Sequence, residues 1–307
     1  MPDPYQISLQ HMKKELGFIG LGRMGLNMAL LGVEKGYKVV AHNRGEGPKA
    51  EARQAGIEVA ASLQDMVVKL SSPKVVWLMV SSDAVDIILE ELLPLLAAGD
   101  TVIDGGNSFY KDSLRRHAAL AEKSIAFLDC GTSGGTDGAR HGASIMVGGK
   151  VDVFAEHEHI FKAFATEGGY ARVGNAGAGH FVKMIHNGIE YGMMGALAEG
   201  FTILHNNEET LGIAIDQVLK PYTHESIIAG KLVNWLSDAY VAGQIEAIKG
   251  EVPKGETEVE MEHITTLGET KVLEAALQQR KATRVQESYL GKLVAAMRNQ
   301  FGGHKTL

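Results

Sequence analysis

The apolar residues of this chain fall in two rhythms, and the rhythm changes at Gly179. Upstream they form short, nearly unbroken runs at 16–19, 37–41, 74–80, 101–104, 125–129 and 143–147. A strand covered on both faces has no water-facing side for polar residues, so such runs, rich in Val, Ile and Leu, read as buried parallel strands. Between them, 26–33 and 84–98 place apolar residues every three or four positions, the period of a helix packed along one stripe. Strand and helix therefore alternate, and the expected architecture is an open, doubly wound α/β sheet. Downstream the strand runs stop, and 179–206, 211–223, 227–244, 257–280 and 282–299 all read as helices. An all-α C-terminal domain should follow the sheet. The predicted domains are 1–178 and 179–307, with 1–13 an irregular extension; a chain of 307 residues is in any case long for one core.

The first strand runs directly into GLGRMG, where Gly20, Gly22 and Gly25 form a G-x-G-x-x-G around Leu21, Arg23 and Met24. With 37 glycines in the chain the bare pattern carries little weight. Its setting carries more: it joins a strand to a helix, and a second strand follows, as in a Rossmann-like βαβ unit of about thirty residues. Glycine there permits the tight turn and lets the backbone approach a pyrophosphate at the helix N-terminus. Dinucleotide binding is expected. At the end of the second strand an acidic residue would take the ribose 2′-hydroxyl, but this chain has Asn43 and Arg44, which suit a 2′-phosphate. NADP is the expected cofactor, with NAD as the alternative because Glu46 follows closely. Ligands of open α/β sheets bind beyond the carboxyl ends of the strands, so Val80, the GGNS loop with Asn107, and the CGTSGG loop should face the site.

The sharpest chemical signal lies in GAGHFVKMIHNGIEY. Lys183, His186, Asn187, Glu190 and Tyr191 fall within an arc of roughly 140° on one helix face, while Met184, Ile185 and Ile189 lie between them. A solvated face would repeat Glu and Lys. One each of Lys, His, Asn, Glu and Tyr reads instead as the wall of an active site.

Composition removes several alternatives. A formal net charge of −7 disfavours a polyanion-binding surface, so an anionic substrate needs a local basic cluster. No apolar run approaches the length of a membrane span, and the N-terminus lacks the pattern of a signal peptide. A single cysteine, Cys130, makes no intrachain disulfide, which fits a cytoplasmic setting; it reads as a small buried residue rather than a nucleophile. The 12 histidines are scattered, with His157 and His159 in an acidic, exposed-looking segment, and no metal site is expected.

With these residues in view, the chain resembles the 6-phosphogluconate dehydrogenases, within the broader β-hydroxyacid dehydrogenases. GLGRMG, GGNS at 105–108, SGG at 133–135 and above all HNGIEY at 186–191 carry the resemblance, and the length is similar to the short form. The resemblance implies oxidative decarboxylation of 6-phosphogluconate to ribulose 5-phosphate and carbon dioxide, in the pentose phosphate pathway. Lys183 would be the base and Glu190 the later proton donor. Asn187 would hold the reacting hydroxyl, and His186 and Asn107 would orient substrate or carboxamide. Ser133, Gly134 and Gly135 would bind the carboxylate; Tyr191, Arg280, Arg298 and His304 would bind the phosphate. The cofactor would meet Gly20, Leu21, Gly22, Arg23, Met24, Gly25, Asn43, Arg44, Val80 and Asn107. The family's tail implies a homodimer or homotetramer in which Arg298 and His304 complete a neighbour's site, with the stripe Leu290, Leu293, Val294 and Met297 docking on the partner. One segment departs from the pattern: 244–271 lacks the family's glycine-rich turn and Trp-Thr pair, and Lys254 is the candidate replacement contact. Two other readings stand beside this one: a β-hydroxyacid dehydrogenase for another small acid such as hydroxyisobutyrate, and a non-catalytic NADP-binding protein.

Overall fold

The computed structural model describes residues 14–302, so the extension 1–13 and His304 lie outside the described residues. The chain folds as two compact units, 1–183 and 184–307. In the first, strands β1 (Glu15–Ile19), β2 (Lys38–His42), β3 (Glu58–Val59), β4 (Val75–Leu78), β5 (Thr101–Asp104), β6 (Ala126–Ser133), β7 (Ala143–Gly148) and β8 (Ala165–Gly174) form one sheet in the order β3-β2-β1-β4-β5-β6-β7-β8. All neighbours run parallel except β6 and β7. The chain winds outward in both directions from the pair β1 and β4, which places the switch point beside the GLGRMG turn. The doubly wound sheet expected from the sequence is therefore present, extended by an antiparallel turn into β7.

Among the described residues seven α-helices precede the long one: α1 (Arg23–Glu34), α2 (Glu46–Gln54), α3 (Leu63–Lys69), α4 (Ser82–Leu92), α5 (Tyr110–Ala121), α6 (Gly135–His141) and α7 (Val151–Phe164). Apolar layers bury both faces of the sheet. One gathers Phe18, Met28, Trp77, Ile103, Phe161 and Phe164; the other gathers Val40, Met66, Val76, Leu89, Val102 and Phe127. This explains the unbroken apolar runs. Two expectations need correction here. The segment holding His157 is not an exposed stretch but α7, whose inward face carries His157, Ile160, Phe161 and Phe164. His157 is buried, its Nε2 2.9 Å from Thr101 Oγ1. Strand β8 was not expected, because ATEGGYARVG is polar and mostly exposed or half-exposed, and only its pairing with β7 makes it a strand. Cys130 is fully buried inside β6, and burial pushes its thiol up, as befits a packing residue.

Helix α8 (Ala178–Asn206) is continuous for 29 residues. It is followed by α9 (Glu208–Leu211), α10 (Ile215–Tyr222), α11 (Lys231–Val241), α12 (Glu256–Ile264), α13 (Lys271–Ala282) and α14 (Tyr289–Gly302). Among its described residues the second unit is thus all-α, with finer breaks than the sequence periods indicated. Gly212, at φ 64°, ends α9 and splits the expected 211–223 helix; the expected 257–280 helix is two helices separated at 265–270. The last helix starts at Tyr289, not Ala282. Its stripe is also reassigned: Leu293, Val294 and Met297 pack in the unit's own core with Met194, Phe201, Val233 and Leu236. That apolar surface is consumed within the chain, so it is not a docking face for a partner.

Candidate active site

In the first unit the glycine turn has the geometry a dinucleotide needs. Gly20 sits at φ 100°, a conformation that strains any residue with a Cβ, and a Cβ at Gly25 would run into Gly20 O. Nothing lies within 4 Å of where a Cβ on Gly22 would point, and Gly22, the N-cap residue of α1, has no side chain to cover the helix's opening amides, which face an anion in this kind of turn. The turn is held open from β2: Asn43 Oδ1 accepts the Leu21 N–H at 3.0 Å. Arg23 and Met24 open α1, Arg44 is exposed just beyond β2, and Val80 is half-buried at the end of β4. Glu46, which argued for NAD, is engaged elsewhere, 2.9 Å from Lys49 and 3.5 Å from Arg53.

The loops after β4 and β5 are tied together by a residue the sequence did not mark. Arg116, 2% exposed, donates from Nε to Asp86 Oδ1 at 2.9 Å, from Nη2 to Ser82 O at 3.2 Å, and from Nη1 to Ser108 Oγ at 3.1 Å and Asp104 Oδ2 at 3.3 Å. Ser108 Oγ in turn donates to Asp104 Oδ2 at 2.8 Å. The guanidinium of Arg116, helped by Arg115, holds the Asp86 carboxyl down at about 2. The loop carrying Asn107 is therefore fixed between a buried arginine and two carboxylates. The buried acid ending TVID was the one sequence signal for it, since a buried carboxylate demands a cation or donors. Thr132 Oγ1 donates to Gly105 O at 3.2 Å, joining this loop to the end of β6, where Ser133 leads into Gly134 and Gly135 at φ 124° and 64°. Lys183, on the second turn of α8, is 8% exposed.

In the second unit α8 continues with the rest of the stripe. Asn187, 7% exposed, donates from Nδ2 to Glu260 Oε2 at 3.0 Å, and His186 Nδ1 lies 3.4 Å from Asn187 Oδ1 and 3.7 Å from Glu190 Oε2. The Arg280 guanidinium stacks on Tyr191, 4.4 Å from the ring centroid. Arg280 is not a free cation: Nε donates to Glu258 Oε2 at 3.2 Å and Nη2 to Pro253 O at 3.0 Å. Glu258 also accepts two bonds from Arg284, at 2.7 and 2.8 Å. Burial works against the Glu258 carboxylate, yet Arg284 and Arg280 together hold it below the usual carboxylate range. Glu258 and Glu260 lie in the atypical 244–271 segment and were missed; the candidate named there, Lys254, is exposed. Arg280 Nη1 and Arg298 Nε and Nη1 are buried without a hydrogen-bond partner among the described residues. Among those residues no three His, Cys, Asp or Glu side chains cluster as metal ligands, and no helix is long and apolar enough to cross a membrane.

Residues 15–177 match the model of the NAD binding domain of 6-phosphogluconate dehydrogenase, and 179–238 that of the 6-phosphogluconate dehydrogenase C-terminal domain. The chain belongs to the 6-phosphogluconate dehydrogenase family. Its relatives include YqeC of Bacillus subtilis, 39% identical over 95% of this chain and 99% of its own length. Another is the NAD(+)-dependent, decarboxylating 6-phosphogluconate dehydrogenase of Haloferax volcanii, 36% identical over 95% of this chain and 98% of its own. Among solved structures, the Plasmodium falciparum 6-phosphogluconate dehydrogenase aligns with a TM-score of 0.76 and 29% identity over 88% of this chain and 62% of the longer one. The chain is accordingly an oxidoreductase of the 6-phosphogluconate and hydroxyacid dehydrogenase family with an NAD(P)-binding first domain.

Proposed function

We propose that this chain oxidises and decarboxylates 6-phosphogluconate to ribulose 5-phosphate and carbon dioxide, with NADP preferred over NAD. The observation that carries the reading is one helix, α8, bearing Lys183, Asn187 and Glu190 on a single face. A dinucleotide held through its pyrophosphate by the glycine turn would supply the hydride acceptor. Everything else falls to the chain. Lys183, neutral when substrate binds, takes the hydroxyl proton; Asn187 and His186 hold that hydroxyl; Asn107 and the Ser133, Gly134 and Gly135 turn orient carboxamide and carboxylate. Protonated Lys183 then polarises the new carbonyl as carbon dioxide leaves, and Glu190 returns a proton to the former α carbon. Tyr191, Arg280, Arg298 and His304 are the phosphate ligands. The buried N–H groups that Arg280 and Arg298 leave unpaired support this role, since such donors are costly unless a ligand takes them. NADP is favoured because Glu46 is neutralised by Lys49 and Arg53, leaving Arg44 for a 2′-phosphate.

A second reading draws on the acidic residues of the 244–271 segment. Glu258 already satisfies much of Arg280, and Glu260 sets a carboxylate on Asn187, which suits an unphosphorylated hydroxy acid better than a phosphate ester. Initial rates with 6-phosphogluconate, gluconate and 3-hydroxyisobutyrate separate the two. The main reading expects 6-phosphogluconate to exceed both by at least tenfold in kcat/KM; a faster unphosphorylated acid would replace it. The partner reading is a homodimer or homotetramer whose terminal residues, His304 among them, reach a neighbour's site, and the setting is the cytoplasm.

A further inference from the structure

We propose that Asp129 is a positioning residue for Lys183, acting through the first turn of α8; the proposal rests on Lys183 being the base. Successive residues of a strand point to opposite faces, so Asp129, Gly131 and Ser133 of β6 share one. The Asp129 carboxylate is fully buried and caps α8 across the fold. Its Oδ1 accepts the Gly177 N–H at 2.6 Å and its Oδ2 the His180 N–H at 2.9 Å. The opening amides of a helix have no partners of their own, and an anion there also meets the positive end of the helix dipole. Two bonds from one rigid carboxylate to two amides fix the rotation of the helix as well as its start.

Three glycines let helix and strand approach closely enough for this cap. A Cβ on Gly148, which pairs with Asp129 in the sheet, would lie 2.5 Å from Asp129 Oδ1 and 2.6 Å from Gly179 N. A Cβ on Gly179 would lie 2.6 Å from Met146 O. Most directly, a Cβ on Gly131 would overlap the Cβ of Lys183 and sit 2.9 Å from Gly179 O. The stem of the lysine therefore rests on bare backbone two residues along the strand from its positioning carboxylate. The opposite side of the turn is closed by α5: Ser113 Oγ lies 2.7 Å from His180 Nδ1, and Tyr110 meets Phe181 edge-on at 5.0 Å. Asp129 is fully buried and its carboxylate is spent on these two amides, so it acts on chemistry only by fixing where the next turn, and Lys183 on it, must stand. A base misplaced by about 1 Å loses on the order of a hundredfold in rate, so this placement is functional as well as structural.

The test compares Asp129→Asn, Gly131→Ala and Lys183→Met with the parent full-length protein, using NADP and 6-phosphogluconate, unlabelled or deuterated at the oxidised carbon. In Asp129→Asn one amide would face an amide. The expected result is a fall in kcat of tenfold or more, KM values within about threefold, and a primary deuterium isotope effect on kcat larger than the parent's because proton and hydride transfer now limit turnover. A protein folded at the assay temperature with parental kcat and isotope effect overturns the proposal, and so does a kcat loss no larger than the loss of folded protein. If Asp129→Asn does not fold, Gly131→Ala asks the same question from the lysine's side with the same expectations. Lys183→Met separates the two levels: parental turnover there removes the base assignment itself, whereas a dead Lys183→Met beside a fully active Asp129→Asn removes only the positioning role.

Discussion

Residue by residue, the proposed chemistry assigns different consequences to neighbours on one helix. Glu190 acts after carbon dioxide has left, so Glu190→Gln, which keeps shape but not the titratable proton, is expected to lose turnover a hundredfold or more. It should still gain thermal stability from added 6-phosphogluconate. Normal turnover with lost substrate protection would make Glu190 a binding residue. Arg44 is exposed just beyond β2, and in the proposed reading it pairs with the 2′-phosphate. Arg44→Ala should weaken NADP binding by about ten- to a hundredfold, the value of a charge-assisted contact of roughly 1.5 to 3 kcal/mol, and leave NAD nearly unchanged. Titration with both cofactors checks this; equal losses would mean that the arginine only stacks on adenine.

At the level of elements, what was legible in the sequence is what periodicity encodes. The strands β1, β2, β4, β5, β6 and β7 and the stripe on α8 each occupy a local stretch of sequence, so their spacing gave them away. The supports did not show themselves, because each joins distant parts of the chain: Asp129 caps α8 at sequence separations of 48 and 51, and Asn187 meets Glu260 at 73. Arg116 looked like one charge among several in α5 until Asp86 and Asp104 closed on it. His157 is a similar case and carries a prediction. Burial pushes its imidazole down to about 4, so the folded state holds it neutral while the unfolded chain protonates near 6.5. Unfolded molecules therefore bind the proton first as pH falls from 6.5 to about 4, and stability drops through that window by about 3 kcal/mol in all. His157→Gln should make the urea midpoint, followed by Trp77 fluorescence in a Trp235→Phe background, less sensitive to a change from pH 7 to pH 5 by about 2 kcal/mol. An unchanged pH dependence would mean that His157 is protonated in the folded protein.

For the whole molecule, the core of the second unit already consumes the apolar stripe of α14, so on the proposed oligomeric reading the neighbour's contribution would come from the terminal residues beyond Gly302. Truncation after Gly302 removes His304, and the shortened chain should bind 6-phosphogluconate at least tenfold more weakly. Mixing it, under conditions of subunit exchange, with Lys183→Met protein should rebuild sites with a good lysine from one chain and a good tail from the other, so activity should return. Exchange without recovery would place the tail in its own subunit or outside the site. The central claim, that this helix performs an oxidation followed by loss of carbon dioxide, is tested most directly with 6-phosphogluconate labelled at its carboxyl carbon. Purified protein should release one labelled carbon dioxide for each NADP reduced, at the same rate. Reduction of the cofactor with the label retained in the product would contradict the account and leave a dehydrogenase that stops at the keto acid.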